Sequence, residues 1–339
     1  MTYLNTATFG LAPRRAHAAV SAALEQWRNG TAEPAGYDAP LDAARRGYAA
    51  LVGVPADSVA VGSQASGFAG LVAASLPDDA EVLTAAGDFT SILFPFHSQQ
   101  ARGVRVREVP LDRLAEQITP RTTLVSVSAV QSADGTVADL AALAAAAAAT
   151  GTRVLLDVTQ AAGWLPVDAS RFAYTVCSGY KWLLAPRGAA YFTVRPELLD
   201  ELVPHTSGWY AGADRWTSIY GAPLRLAADA RRYDLSPVWH AWVGAAPALD
   251  LLAGVGPRAL HEHAVRLTNR FRAGAGLPPG DSAIVSLAVD AGAAEALRAA
   301  RIAGAMRAGR LRLSFHVYNT EQDADHAAQT LRRYLLPNG

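Results

Sequence analysis

The chain has 339 residues, 51% hydrophobic and 18% charged, which excludes a disordered chain and allows one large α/β unit or two modest domains. Thirty basic side chains against thirty acidic ones leave no net charge, so neither nucleic acid nor an anionic membrane is indicated as the main partner. A single cysteine, Cys177, excludes an internal disulfide framework and fits a reducing compartment; with no convincing targeting segment, the expected location is cytoplasmic.

Residues 3–13 read as an extended arm ending at Gly10 and Pro13. Helical spacing follows over 14–29, with Val20, Leu24 and Trp27 on one face, and again over 41–52. A short strand at 59–61 enters the small-residue turn GSQASGF (62–68), which opens a helix over 69–76. Strands at 81–84, 105–109 and 123–128 then alternate with helices at 95–102, 112–117 and 137–149. Short connections between alternating strands and helices predict a doubly wound, mostly parallel sheet. A strand at 189–194 is expected antiparallel at an edge. Residues 206–233 lack a regular pattern and are rich in aromatics, the mark of a binding or interface element. A long apolar helix over 237–252 leads to a last third of helices and fewer strands, as in a small α+β domain.

The strongest chemical signal lies in residues 153–188. One buried strand ends at Asp157, a short helix and crossover are expected next, and a second apolar strand ends in Ser178-Gly179-Tyr180-Lys181-Trp182. Parallel strands present their carboxyl ends on one side, so Asp157 and Lys181 face one crevice. That pairing suits pyridoxal 5′-phosphate: a lysine forms the Schiff base, and a carboxylate keeps the pyridine nitrogen protonated so that the ring acts as an electron sink. Most lysines beside apolar runs simply reach along the surface to solvent. Here D-x-x-Q at one strand end and S-G-Y-K at the next outweigh that reading. The turn at 62–68 offers backbone N–H groups and a helix dipole to a phosphate, a weak signal alone and a stronger one beside Lys181. In Arg310–Phe315, alternation puts Arg310, Arg312 and Ser314 on one face, which by pattern alone is an amphipathic strand with solvated arginines. His205, His240 and His316 have no metal-ligand spacing, and no metal site is expected.

The segments DVTQAAGWLPVD, SGYKWLLAPRG and LRLSFHVYNTEQDAD resemble the class V aminotransferases, which include cysteine desulfurases, isopenicillin N epimerase-like proteins and kynureninase. The resemblance covers nearly the whole chain. It implies the α/β fold of fold-type I pyridoxal phosphate enzymes, with a large, mostly parallel sheet domain (15–235) and a small α+β domain (1–14 plus 236–339). It implies that Lys181 is the Schiff-base lysine and the base for the α-proton, that Asp157 pairs with the pyridine nitrogen, and that Gln160 approaches the phenolic oxygen. Ala65 and Ser66 match the phosphate turn, Ser178 adds a phosphate hydroxyl, and Gln131 lies beside the ring oxygen. Phe89 stands where many relatives have a stacking His, and Tyr180 replaces the common His before the lysine. Arg312 matches the residue that grips the substrate α-carboxylate, and Asn5 is a weaker candidate for closing over the substrate. The resemblance also implies a homodimer with the site at its interface, where Ser236 or Arg232 reaches the neighbouring cofactor.

Desulfurases use a cysteine on a mobile loop in the carboxy-terminal third. This chain has none there, and Cys177 falls on a buried strand where a thiol is inert packing, so persulfide chemistry is not expected. The implied function is conversion of an L-amino acid by α-proton abstraction from an external aldimine. Transamination comes first; β-elimination, including C–S lysis, and epimerisation are the alternatives. A cofactor-binding regulator or scaffold is the non-enzymatic alternative, against which the intact Lys181, Asp157 and Arg312 speak.

Overall fold

Apolar runs rich in Val, Leu and Ala are buried on both faces here, as the strands of a parallel sheet between helix layers must be. The computed structural model describes residues 1–336. In chain order the first half runs β1 (Thr2–Tyr3), α1 (Arg14–Arg28), α2 (Asp38–Val52), β2 (Val59–Gly62), α3 (Ala65–Ser75), β3 (Glu81–Ala85), α4 (Thr90–His97), β4 (Arg105–Val109) and β5 (Thr122–Ser128). It continues α5 (Leu140–Thr150), β6 (Arg153–Asp157), β7 (Tyr174–Ser178), β8 (Ala190–Val194), α6 (Trp239–Val255) and α7 (Pro257–Ala275). The last part is β9 (Ile284–Leu287), α8 (Ala293–Ala299), β10 (Ile302–Ala303), β11 (Ala305–Arg307), β12 (Arg310–Ser314) and α9 (Glu321–Leu331).

Seven strands form the main sheet in the order β2-β8-β7-β6-β5-β3-β4, and only β8 runs against the rest. The carboxyl ends of β2, β5, β6 and β7 therefore share one rim, which is where the chemistry collects. Alternation divides the two faces: Leu156 and Tyr191 pack into one apolar cluster, Leu155 and Phe192 into the other. A three-stranded antiparallel sheet, β11-β12-β9, lies in the carboxy-terminal part. The amino-terminal arm is stitched to it: β1 pairs with β10, and the Ser314 amide donates to the Leu4 carbonyl at 2.9 Å.

Several sequence expectations need correction. Strand β8 is not an edge: β2 docks outside it, and all five of its residues are buried. The segment after Asp157 is a series of turns holding Ala161, Ala162 and Trp164 in the core, not a helix. In place of a helix over 112–117 there are two short 3-10 turns, Leu111–Arg113 and Ala115–Gln117. Helix α5 starts at Leu140 and not at Val137, because the Asp139 carboxylate caps it by accepting from the Ala141 and Ala142 amides. Helix α4 starts at Thr90, with Pro95 inside it, since Ile92 and Phe96 are buried against the sheet. On α1 the buried residues are Ala16 and Ala23, while Leu24 and Trp27 stay exposed. No helix of the described residues is long and apolar enough to cross a membrane.

Candidate active site

Asp157 and Lys181 stand at one small cavity, together with Ala65, Phe89, Ser91, Ser128, Ser132, Thr159, Gln160, Ser178 and Tyr180. The strand register explains the gathering. Asp157 is paired with Ser128 on one side and Val176 on the other. Gly62 and Ser178 both pair with Ala190, so the start of α3 and the lysine segment flank one residue of β8.

Lys181 is 6% exposed, with its Nζ 5.3 Å from the Phe89 ring centre and 5.8 Å from that of Tyr180. Burial pushes its amine down to about 8 against the opposing charge of Asp157, and the charges of Arg312 and Arg307 add to the depression. It is also the only lysine in the chain; every other one of the 30 Lys+Arg positions is arginine. That count was open to sequence reading and was the clearest missed signal. The arm crosses directly over this segment: the Gly10 amide donates to the Tyr180 carbonyl at 2.9 Å, and a Cβ at residue 10 would overlap the Lys181 carbonyl oxygen. Only glycine allows that approach.

Asp157 is 5% exposed, and burial raises its carboxyl above the ordinary value. The Thr159 amide donates to its Oδ1 at 2.7 Å, and the Thr159 hydroxyl accepts from the Ser178 amide at 2.9 Å. Thr159 thus ties the acid to the segment that delivers the lysine, a role the pattern D-x-x-Q does not announce. Cys177 is fully buried, and burial pushes its thiol well above the ordinary value, which leaves it no nucleophilic character.

Ala65 opens α3 at the cavity, with Ser66 half-buried behind it in the first turn. Gln131 is buried and donates to Asp88 at 3.2 Å; Asp88 in turn accepts from the Phe89 amide and from Ser128, so it positions that wall. Gln160 lines the cavity with its amide engaged: Nε2 donates to the Ala7 carbonyl at 2.9 Å and to the Ser132 hydroxyl at 3.0 Å, and Oε1 accepts from Trp182 at 2.8 Å.

Arg312 is not solvated but 2% exposed, because β12 is the central strand of its sheet and the arm covers it. Its guanidinium donates to the Ser132 carbonyl and hydroxyl and, at 2.9 Å, to the Thr8 hydroxyl. Burial pushes it down to about 10, with the Arg307 charge as the second cause. Asn5 forms a β-bridge with Ser314, and its buried Oδ1 has no partner among the described residues. Ser236 is exposed and is not part of the cavity lining; Arg232 is paired with Asp200 at 2.5 Å.

Residues 31–275 match the model of the Aminotransferase class-V family. The chain belongs to that family. It is 29% identical to an uncharacterized aminotransferase of Bacillus subtilis, over 84% of this chain and 81% of the relative. It is 29% identical to isopenicillin N epimerase of Streptomyces clavuligerus, over 79% and 73%, and 30% identical to kynureninase of Deinococcus radiodurans, over 79% and 70%. Among solved structures, the cystine C-S lyase C-DES in complex with cysteine persulfide superposes with a TM-score of 0.88 at 22% identity, covering 99% of this chain and 98% of that one. The cysteine desulfurase CsdA of Escherichia coli gives 0.82 at 21%, covering 98% and 94%. These likenesses establish the fold as that of fold-type I pyridoxal phosphate enzymes.

This class V member is a pyridoxal phosphate-dependent enzyme, and its residues fit the cofactor. A lone lysine amine faces the cavity, a buried carboxylate with no cationic side chain bonded to it among the described residues stands at the neighbouring strand end, and a helix of 11 residues opens at the rim. Lys181 would hold the aldehyde carbon, Asp157 a protonated ring nitrogen, and the α3 amino terminus with Ser66 and Ser178 the phosphate.

Proposed function

We propose that the enzyme acts on an L-amino acid by removing its α-proton with Lys181 as the base, and that it transfers the amino group. The observation that carries this reading is Lys181 itself: the single lysine of the chain, buried at the cavity, where burial pushes its amine down to about 8. A base in that range is partly deprotonated near neutral pH and can both take and return a proton. Bound pyridoxal phosphate supplies the sink for the electron pair left when the α C–H bond breaks. Lys181 Nζ would receive that proton and hold it for return, and water would then release the keto acid and leave the amino group with the bound cofactor. Arg312, buried and without a carboxylate partner among the described residues, holds the substrate α-carboxylate, and Ser132 and Thr8 hold Arg312. Among the described residues, the other titratable groups that line the cavity are Asp157 and the Tyr180 phenol, whose pKa burial raises.

The homodimer belongs to this proposal. Tyr220 (87% exposed), Leu224 (76%), Trp27 (66%) and Phe94 (64%) are apolar surface that a second copy would cover, and Ser236 is free to reach across. A cytoplasmic setting accords with the one free cysteine.

The test is to mix the holoenzyme with single L-amino acids without any keto acid. Stoichiometric pyridoxamine phosphate with one keto acid per site supports the reading. Repeated turnover to pyruvate and ammonia identifies an eliminating lyase instead, and loss of α-deuterium with racemisation identifies an epimerase.

A further inference from the structure

Arg307, on β11, is not among the residues that line the cavity, and in the reading above it acts only through its charge. Its Nη2 donates to the Thr8 hydroxyl at 3.2 Å, and Arg312 donates to the same oxygen at 2.9 Å. In the β11–β12 pairing Ala305 faces Arg312 and Arg307 faces Arg310, so Arg307 is the diagonal neighbour of Arg312 on one face of the hairpin. Two guanidinium groups therefore converge on one neutral hydroxyl of the arm. Their other partners among the described residues are the Met306 carbonyl and Ser132, again neutral oxygens. The two acids beside the cavity are committed elsewhere, Asp157 to Thr159 and Asp88 to Ser128, Gln131 and Phe89.

Like charges held this close, one of them almost fully buried, repel each other unless an anion lies between or beside them. The α-carboxylate of an amino acid satisfies one. Arg312 lies inside at 2% exposure, whereas Arg307 is exposed at the outer end of the pair. An anion held on the inner group leaves the outer one to meet whatever the substrate extends towards solvent.

We infer that Arg307 reads a second anionic group, so that the preferred substrate is an L-amino acid with an acidic side chain, of the aspartate or glutamate class. This deepens the proposed function and rests on it. A planar guanidinium fork favours a carboxylate over an isosteric amide, because it donates charge-assisted bonds that the amide accepts only weakly.

The test titrates the holoenzyme, followed by the cofactor's absorbance, with L-glutamate, L-aspartate, L-glutamine and L-alanine, and in parallel measures binding of glutarate by calorimetry. The wild type is expected to bind the acidic amino acids more tightly than L-glutamine. Arg307→Ala should weaken L-glutamate and glutarate about 10- to 100-fold, the usual worth of a charged hydrogen-bonding partner, and leave L-alanine within twofold. Arg307→Lys should recover part of the loss, and equal melting temperatures exclude a folding defect. Equal weakening of L-glutamate and L-alanine overturns the inference and assigns Arg307 to the α-carboxylate. An unchanged L-glutamate affinity, or a wild type that prefers neutral amino acids, overturns it too while the proposed function stands. A cofactor spectrum that no amino acid perturbs overturns both.

Discussion

Gln160 and Trp182 are bonded to each other across the two strand ends that carry Asp157 and Lys181: the Trp182 indole N–H donates to Gln160 Oε1 at 2.8 Å. The other end of the same amide holds Ala7 of the arm and Ser132 of the loop after β5. One side chain thereby couples the acid strand, the lysine segment, the arm and the loop beneath Arg312. Trp182→Phe keeps the buried ring and strands Gln160 Oε1. An unsatisfied buried acceptor costs about 1–3 kcal/mol, so urea unfolding should show a loss of that size, with weaker cofactor retention on dialysis. Unchanged stability and retention would remove the coupling role.

His316 predicts an acid-side weakness. Its ring is fully buried against Trp182, Nε2 faces the Trp182 carbonyl at 2.9 Å, and Nδ1 has no partner among the described residues. Burial pushes its pKa down to about 4. The unfolded chain takes up this proton near 6.5 and the folded chain only near 4, so between those values the unfolded state binds more protons. Stability should therefore fall as pH drops from about 6.5 to about 4, by at most about 1.4 kcal/mol per pH unit. Urea midpoints at pH 7, 6 and 5 measure the slope. His316→Phe should flatten it whatever it does to stability at pH 7; an unchanged slope would contradict the assignment.

Asp234 and Arg45 form a fully buried pair, at 0% and 4% exposure, with Arg45 Nη2 2.6 Å from Asp234 Oδ2. The Val61 amide also donates to Asp234, at 2.8 Å. The pair anchors the end of the irregular 206–233 stretch to β2, one residue before the turn into α3. Asp234→Ala leaves an uncompensated guanidinium and should cost about 3–5 kcal/mol in urea unfolding, while the double change Arg45→Met, Asp234→Leu should recover much of it. A single variant of near-native stability would show that the pair is not anchoring anything.

Asp157 and Lys181 were legible because the strand-end rule needs only two apolar runs and their terminal residues. The lysine count was equally legible. Alternation alone put Arg312 on a face that reads as solvated, and only the family resemblance pointed it at a substrate, since alternation cannot say what covers a face; here the cover is an arm 304 residues away at Thr8. Ser132, 180 residues from Arg312, was beyond reach for the same reason. The position of β8 was missed because pairing with β2 across more than a hundred residues leaves no local trace. Helix α1 was misjudged because its large apolar residues are the exposed ones, whereas small Ala16 and Ala23 are buried.

Borohydride reduction of the purified holoenzyme, followed by intact and peptide mass spectrometry, tests the central claim most directly. With one lysine in the chain, only Lys181 and the terminal amine can carry a reduced Schiff base. One phosphopyridoxyl group per chain on Lys181, absent from Lys181→Ala, is the predicted result. A label on the terminal amine, no label at all, or a label retained by Lys181→Ala would contradict it.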